Sequence, residues 1–330
     1  GATVVGGAGA AVFGLWAEDS VVAVDAASTI TAAIETSDEA TAVALTGPSG
    51  SALLAGEVRA ARAGIDVGMP VAALCTDGAL ALTDADVAAA GVGAVGVRLV
   101  AAALSATDSA VAVEGSGGIG IALAGAADVY LERVQASAER VVDGSANFLS
   151  VVDSALAGTA AGCGVPTTFV LVERSTIAVD GPASVTALSA RGAIVRDAFI
   201  AARGVAAEGV RLATVGSVLE RTVIDVQGGE GFGVTHAASL LLSSSFITTL
   251  GVAALRCGGP ATVKSSTLVS DIDAVSVEAG GSLAVASSAL FGAPGVRSLG
   301  APPWLQASAV AFDDVGAVVI AGAEEVTTAQ

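Results

Sequence analysis

Short apolar segments that alternate with polar residues recur along the chain from about residue 78 onward. Each contains one six-residue unit: an aliphatic residue, two variable residues, a small residue, one variable residue and a second aliphatic residue. The units begin at Leu82, Ala106, Leu131, Val151, Val172, Val195, Leu219, Leu242, Val263, Val285 and Leu305. Consecutive units are 20 to 25 residues apart, and a mean period of about 22 residues indicates a solenoid.

The pattern inside each unit predicts strands and turns. Val, Ile and Thr alternate with other residues over short stretches, and glycine-bearing turns such as residues 96–99 and 231–235 interrupt them. Helical repeats are longer, at about 33 to 47 residues. The sequence therefore predicts coils made only of strands and turns.

This repeat resembles the right-handed parallel β-helix of pectate-lyase-like proteins, in which each coil adds three short strands to three parallel sheets. The resemblance covers roughly residues 78–310 and implies a single all-β domain of about 11 to 13 coils of about 22 residues. Residues 1–77 are predicted to form less regular coils and a cap, with candidate coils ending at Ile30 and Val58, and residues 311–330 a cap or tail. Proteins of this fold often stack asparagines at one turn. This chain has only Asn147, so serine is expected to take that place.

Residues one period apart should stack about 4.8 Å apart, so each position of the unit becomes a column. The last aliphatic position, from Val87 to Val310, is predicted to point into the core. The small fourth position is rich in serine, and its hydroxyls are expected to hydrogen-bond to one another along the axis.

The third position of the unit is predicted to lie outward at a turn. It reads Asp84, Asp108, Arg133, Asp153, Arg174, Asp197, Arg221, Ser244, Ser265, Ser287 and Ala307. From Asp108 to Arg221 the sign of the charge alternates from coil to coil. This alternation favours one register, although an exposed pair contributes only about 0.2 to 1 kcal/mol.

An exposed apolar surface is predicted on consecutive coils, and we call it the apolar stripe. It consists of Phe199, Val223 and Phe246 at the fifth position, and of Val269 and Phe291 two residues further along their coils. Such a surface marks a partner site, or it is covered by another segment of the chain. The tail after Val310 is apolar enough to cover it, so both alternatives stay open.

Composition excludes several classes of protein. A chain that is 53% hydrophobic is not disordered, and 32 acidic against 14 basic residues, a net charge of −18, oppose binding to nucleic acid. The mean hydropathy of +0.78 suggests a membrane protein, but no stretch of about 20 strongly apolar residues predicts a transmembrane helix. The opening residues lack an initiating Met and the basic start of a signal peptide, which indicates a mature or trimmed product.

No cofactor or metal is predicted. Gly115, Gly117 and Gly120 match a dinucleotide-binding glycine pattern, and Asp25 follows a second glycine-rich stretch, but neither lies in the strand–helix–strand unit that holds a pyrophosphate. Cys75, Cys163 and Cys257 are about four coils apart, or about 19 Å, which exceeds the reach of a disulfide. They are predicted to be free, buried thiols.

Enzymes of the pectate-lyase-like type use clusters of carboxylates with an Arg or Lys base on one sheet face of the β-helix. The single histidine, His236, is predicted to lie one coil below Cys257, with Arg211 and Arg256 nearby. One histidine beside scattered arginines is more typical of a surface or groove than of a catalytic site, so these three residues are weak candidates for a binding site.

The favoured hypothesis is a non-enzymatic β-helix outside the cell, on its surface or in the periplasm, that acts as a rigid structural, adhesive or assembly module. Its partners would be copies of itself or a surface glycan or protein. The alternatives are a polysaccharide lyase or glycoside hydrolase, and a subunit that polymerises through its ends. The fold by itself does not choose among them.

Overall fold

The chain folds as a parallel β-solenoid, as its repeat predicts. A computed structural model describes residues 2–6, 12–24, 28–34, 40–62, 70–298, 305–312, 319–321 and 324–326. Within these ranges there are strands and turns but no helix, and about ten turns of about 23 residues follow one another. The predicted fold class is confirmed.

The first half of the chain contributes fourteen strands. They are β1 (Ala2–Gly6), β2 (Val12–Glu18), β3 (Val21–Val24), β4 (Thr29–Ile34), β5 (Ala40–Thr46), β6 (Ser51–Arg62), β7 (Pro70–Thr76), β8 (Ala79–Ala90), β9 (Val95–Val100), β10 (Ala103–Thr107), β11 (Ala110–Glu114), β12 (Ile119–Glu132), β13 (Gln135–Val152) and β14 (Ala155–Glu173).

Shorter strands form the second half. They are β15 (Thr176–Asp180), β16 (Ser184–Arg196), β17 (Phe199–Arg203), β18 (Ala206–Leu212), β19 (Ser217–Glu220), β20 (Val223–Gln227), β21 (Phe232–His236), β22 (Leu240–Ser243), β23 (Phe246–Thr249), β24 (Ala253–Cys257), β25 (Pro260–Lys264), β26 (Thr267–Ser270), β27 (Asp273–Val277), β28 (Ser282–Ala286), β29 (Ala289–Phe291), β30 (Val296–Ser298), β31 (Leu305–Ser308), β32 (Ala311–Phe312), β33 (Val319–Ala321) and β34 (Glu324–Val326).

The chain divides into two compact units, Gly1–Thr168 and Phe169–Gln330. In the second unit a first sheet contains β18, β21, β24, β27 and β30, a second contains β19, β22, β25, β28 and β31, and a third contains β17, β20, β23, β26, β29 and β32. The first unit has three corresponding sheets, whose first strands are β2, β3 and β1. Its long strands β6 and β8 each belong to two of these sheets. The predicted boundaries at residues 78 and 310 stay a prediction.

The last aliphatic position of the repeat forms the core of each unit. Ile200 pairs with Ile224, and Ile224 pairs with Ile247 on the next coil, and all three are fully buried. The early coils follow the same register, since Ile30 pairs with Val58. A fully buried aliphatic side chain contributes about 1.5 to 3 kcal/mol, so this column accounts for much of the stacking free energy.

A column of small residues lets two sheets approach closely. In the first sheet Gly209 and Gly233 face the third sheet: a Cβ on Gly209 would lie 2.6 Å from Ile224 Cγ2, and one on Gly233 would lie 2.4 Å from Ile247 Cγ2. Gly96 has the same place in the first unit, where a Cβ would lie 2.7 Å from Cγ1 of a valine on β11. Only glycine fits these positions without displacing the opposite sheet.

The predicted start of the last six-residue repeat, at Leu305, is wrong by two residues. The unit begins at Ala307, its turn residue is Ala309, and Val310 takes the small fourth position rather than the last aliphatic one. The pairs that establish this are Val285 with Ala307 and Leu290 with Phe312. A shift of two residues keeps every side chain on the same face of a strand, so the alternation of apolar residues does not reveal it.

All three cysteines are free and fully buried, as predicted. Burial raises the pKa of the Cys163 thiol to about 12, and it also raises the pKa values of Cys75 and Cys257. The thiols therefore stay protonated and pack as small apolar side chains.

Candidate functional site

One turn recurs in every coil at the third position of the repeat. Its residues have φ angles between 46° and 53°, in the left-handed region that residues other than glycine seldom adopt. They are Asp84, Asp108, Arg133, Asp153, Arg174, Asp197, Arg221, Ser244, Ser265, Ser287 and Ala309. The outward turn is confirmed. Its left-handed backbone was missed, because arginine carries no preference for that conformation, whereas aspartate does.

The hydroxyls of the serines that follow this turn form hydrogen bonds to main-chain groups, including an N–H of the preceding coil. The Ser245 hydroxyl accepts a hydrogen bond from the Thr222 N–H of the preceding coil at 3.1 Å and donates to the Ser243 carbonyl at 2.8 Å. Ser109, Ser154, Ser266 and Ser288 make the same two bonds.

The expectation that these hydroxyls bond to each other is therefore wrong. A buried backbone N–H requires an acceptor, and at this turn the serine oxygen of the next coil supplies it. The donated bond then holds the hydroxyl in place. Each serine thus joins two coils through their main chains.

The predicted charge ladder is present as ion pairs between neighbouring coils. In the first unit, Arg133 binds both carboxylate oxygens of Asp108, at 2.5 and 2.8 Å. In the second unit, Arg221 binds Asp197 in the same way, at 2.7 and 2.9 Å. These hydrogen bonds lower the pKa of each aspartate, and all four side chains are exposed.

A second row of charges lies beside the ladder and was not predicted. In the second unit Arg196 contacts Glu173 at 3.5 Å and Glu220 at 3.4 Å, and Arg221 also contacts Glu220. The sequence signal was available, since Glu, Arg and Glu alternate at the second position of three successive repeats. Two adjacent rows of alternating charge therefore cover this corner of the solenoid.

The apolar stripe faces outward on the third sheet. Phe199 pairs with Val223 and Val223 with Phe246, and their exposed fractions are 41%, 40% and 42%. Val269 and Phe291 pair with each other on the next two coils and are half-buried. The stripe thus has the orientation and the neighbours that the repeat predicts.

The described strands of the C-terminal tail continue the coils and leave the stripe exposed. Ala311–Phe312 pairs with β29 at the end of the third sheet, and Val319–Ala321 pairs with β30 at the end of the first. Glu324–Val326 then pairs with β33 in the antiparallel direction. The apolar residues of these strands extend sheets, because a strand edge offers hydrogen bonds that an outward face does not.

Arg211, His236 and Arg256 do not converge. Arg211 pairs with Thr235 and Thr235 with Arg256, so the two arginines are two coils apart on the outer face of the first sheet. His236 pairs with Cys257 as predicted, but its ring points inward and is 2% exposed. The expectation of a surface or groove histidine is wrong, because strand alternation places residue 236 on the same face as Val234.

Arg211 and Arg256 are each paired with an acidic residue that the sequence pattern did not indicate. Arg211 contacts the buried Glu208, and Arg256 binds Glu278 with its guanidinium 5.0 Å from the ring of Phe232. Another pair has the same form: Arg297 Nε lies 2.9 Å from both carboxylate oxygens of Asp273. Burial raises the pKa of Asp273, and Arg297 partly offsets this.

The buried His236 has one hydrogen-bond partner. Its Nδ1 lies 2.8 Å from the Ala238 carbonyl, and its Nε2 is buried with no hydrogen-bond partner. Burial lowers the pKa of this imidazole, against the smaller opposite effect of the Ala238 carbonyl. The ring is therefore neutral in the folded chain at pH 7.

We expect the free energy of unfolding to rise from pH 5 to pH 7 because of His236. The unfolded imidazole, with a pKa of about 6.5, binds a proton that the folded one releases, so stability is lost as the pH falls below about 7. His236→Leu should remove this part of the slope, because the chain has no other histidine. Urea unfolding of both proteins at pH 5, 6 and 7 tests this, and equal slopes would contradict it.

The glycine pattern that resembles a dinucleotide-binding motif begins in a turn between two strands of the described chain. Gly115 and Gly117 have positive φ angles in the turn between β11 and β12, and no helix follows them. Asp25 lies outside the described residues. No group of three His, Cys, Asp or Glu side chains is placed to hold a metal within the described ranges. The same part of the chain contains no helix that is long and apolar enough to cross a membrane.

Comparison with known proteins assigns no role to these residues. The charge ladder, the serine bonds and the apolar stripe are therefore the features from which a function has to be inferred. No family model, curated protein or solved structure matches the chain.

Proposed function

We propose that this chain is a non-enzymatic structural module that presents an adhesive or assembly surface. We further propose that it works outside the cell, on the cell surface or in the periplasm. Assembly through the ends of the solenoid, the third hypothesis, stays a prediction.

The observation that carries this proposal is that outward-facing charged side chains form ion pairs between adjacent coils. The pairs Asp108–Arg133, Asp197–Arg221, Arg256–Glu278 and Arg297–Asp273 each join two coils. A glycan-processing site needs carboxylates that are free to act as acid and base around a scissile bond. Here these charged groups hold coil register instead, which favours a structural role.

Polysaccharide assays test the proposal directly. We expect no cleavage of acidic or neutral polysaccharides by the full chain, with or without added calcium, as measured by release of reducing ends and of unsaturated products. Turnover that is lost in Arg256→Ala and kept in Arg98→Ala, an exposed arginine of the first unit, would reject the structural role.

One feature of the first unit favours the enzyme hypothesis as second candidate. Asp84, Asp86 and the Asp108–Arg133 pair line one surface depression, and Asp84 and Asp86 are exposed. Two carboxylates beside an arginine are the residue types that a polysaccharide lyase or hydrolase uses. In the same assays, cleavage that Asp86→Asn abolishes and Asp128→Asn leaves intact would establish this candidate.

A further inference from the structure

We propose that the apolar stripe is the interface with a second copy of this chain, arranged about a two-fold axis that runs along the stripe. This inference rests on the proposed function and names the partner of the assembly surface. It follows from three properties of the stripe: its period, the charges beside it and its size.

The period of the stripe suits a surface with the same period. Phe199, Val223 and Phe246 lie on three consecutive coils, about 4.8 Å apart. A partner with side chains at that spacing meets all three at once. A second copy in parallel orientation does so, since each of these three side chains then faces its own equivalent, and Phe199 and Phe246 form pairs of stacked rings. Val269 and Phe291, at the seventh position, then face Ser265 and Ser287 of the second copy.

The two-fold axis also brings opposite charges together. Rotation about a line through the fifth position exchanges the third and seventh positions of each coil. Arg221 of one copy therefore faces Asp225 of the second copy, and the reverse pair forms on the other side of the axis. Arg221 is exposed and also binds Asp197 and Glu220 within its own chain, and the half-buried Asp225 accepts a hydrogen bond from the exposed Gln227 amide at 3.2 Å.

The charges around the stripe nearly cancel, in contrast to the chain as a whole. A net charge of −18 opposes the approach of two copies. The residues that flank the stripe are five basic and six acidic, a net charge of −1: Arg174, Arg196, Arg203, Arg221, Lys264, Glu173, Asp180, Asp197, Glu220, Asp225 and Asp271. This face therefore repels a second copy little.

The size of the stripe implies a weak interface. At about 40% exposure, Phe199 and Phe246 each offer about 60 to 100 Å² for burial. The five stripe residues together cover less than the roughly 800 Å² that each partner buries in a standard stable complex. Association should therefore be transient and visible only at high protein concentration.

Sedimentation at concentrations from about 10 μM to about 1 mM tests the interface. We expect reversible dimers, and a dissociation constant at least about tenfold higher for Phe246→Ser. The matched control is Leu241→Ser, because Leu241 is 37% exposed on the second sheet, and it should stay within about twofold of the wild type. A monomer at all concentrations, or equal effects of both variants, would overturn the proposal.

Charge exchange tests the orientation of the two copies. Asp225→Arg and Arg221→Asp should each weaken self-association, because like charges then meet across the axis. Mixed in equal amounts, the two variants should form a heterodimer, since each charge again faces its opposite. Arg221→Asp also removes the pair with Asp197 inside its own chain, but that loss is the same in the mixture as in the variant alone. A mixture that is no more associated than its components would overturn the proposed two-fold arrangement.

Thiol labelling identifies what occupies the stripe. In Val223→Cys the new thiol is exposed while the three native cysteines are buried. A labelling rate that falls as protein concentration rises supports the second copy. Slow labelling at every concentration would mean that the chain covers its own stripe. Fast labelling at every concentration would mean that nothing binds the stripe. Either result would overturn the proposal.

Failure of the dimer and failure of the proposed function are distinguishable. A monomer that cleaves no polysaccharide would leave the structural role standing, whereas turnover would reject that role whatever the oligomeric state.

Discussion

Gly233→Ala is expected to destabilise the second unit strongly. A Cβ at this position would lie 2.4 Å from the Ala254 carbonyl oxygen and 2.4 Å from Ile247 Cγ2. The carbonyl belongs to the next coil and cannot move without disturbing its sheet, and the isoleucine is fully buried. We expect a loss of about 3 kcal/mol or more in the free energy of unfolding, measured by urea denaturation.

The matched control for this change is Gly229→Ala. No atom lies within 4 Å of a Cβ at Gly229, which occupies an exposed turn. This variant should be neutral or more stable by about 0.4 to 1 kcal/mol, because alanine reduces the freedom of the unfolded chain. If Gly233→Ala unfolds at the same urea concentration as the control, the first and third sheets are further apart than the structure has them.

The second large effect is expected for Ile224→Ala. Ile224 is fully buried between Ile200 and Ile247 of the adjacent coils, and its truncation leaves a cavity that close-packed neighbours cannot fill. The expected cost is about 2 to 5 kcal/mol. Because each coil of a solenoid is stabilised by its neighbours, amide hydrogen exchange should also become faster in the two adjacent coils.

Val223→Ala is the control, since this residue is adjacent in sequence and 40% exposed. Its loss should cost less than about 1 kcal/mol. A larger cost for Val223→Ala than for Ile224→Ala would mean that the inward and outward faces of the third sheet have been exchanged.

The repeat could be predicted because period and alternation are both written in the order of the residues. Side chains along a strand point to opposite faces in turn, and coils of similar length stack equivalent positions. This is why the core column through Ile224, the outward stripe through Phe246 and the Asp197–Arg221 pair were all predicted correctly. The same alternation placed His236 inward, and that signal was overlooked in favour of its neighbours Arg211 and Arg256.

Other features depend on distances that a linear pattern does not contain. The serine hydroxyls bond to main-chain groups because the turn brings the Thr222 N–H within 3.1 Å of Ser245. The acidic partners Glu208 and Glu278 are three and 22 residues from their arginines, so no single spacing marks them.

By itself, then, the sequence determined the coil, its period, the face of each strand and the outward turn, because these follow from local alternation repeated at a fixed interval. Only the tertiary structure decided the left-handed turn at Arg133 and Arg221, the register of the last coil at Ala307, and the narrow gap that requires Gly233. Each of these depends on how close one sheet or coil comes to the next, and that distance results from the packing of many side chains at once.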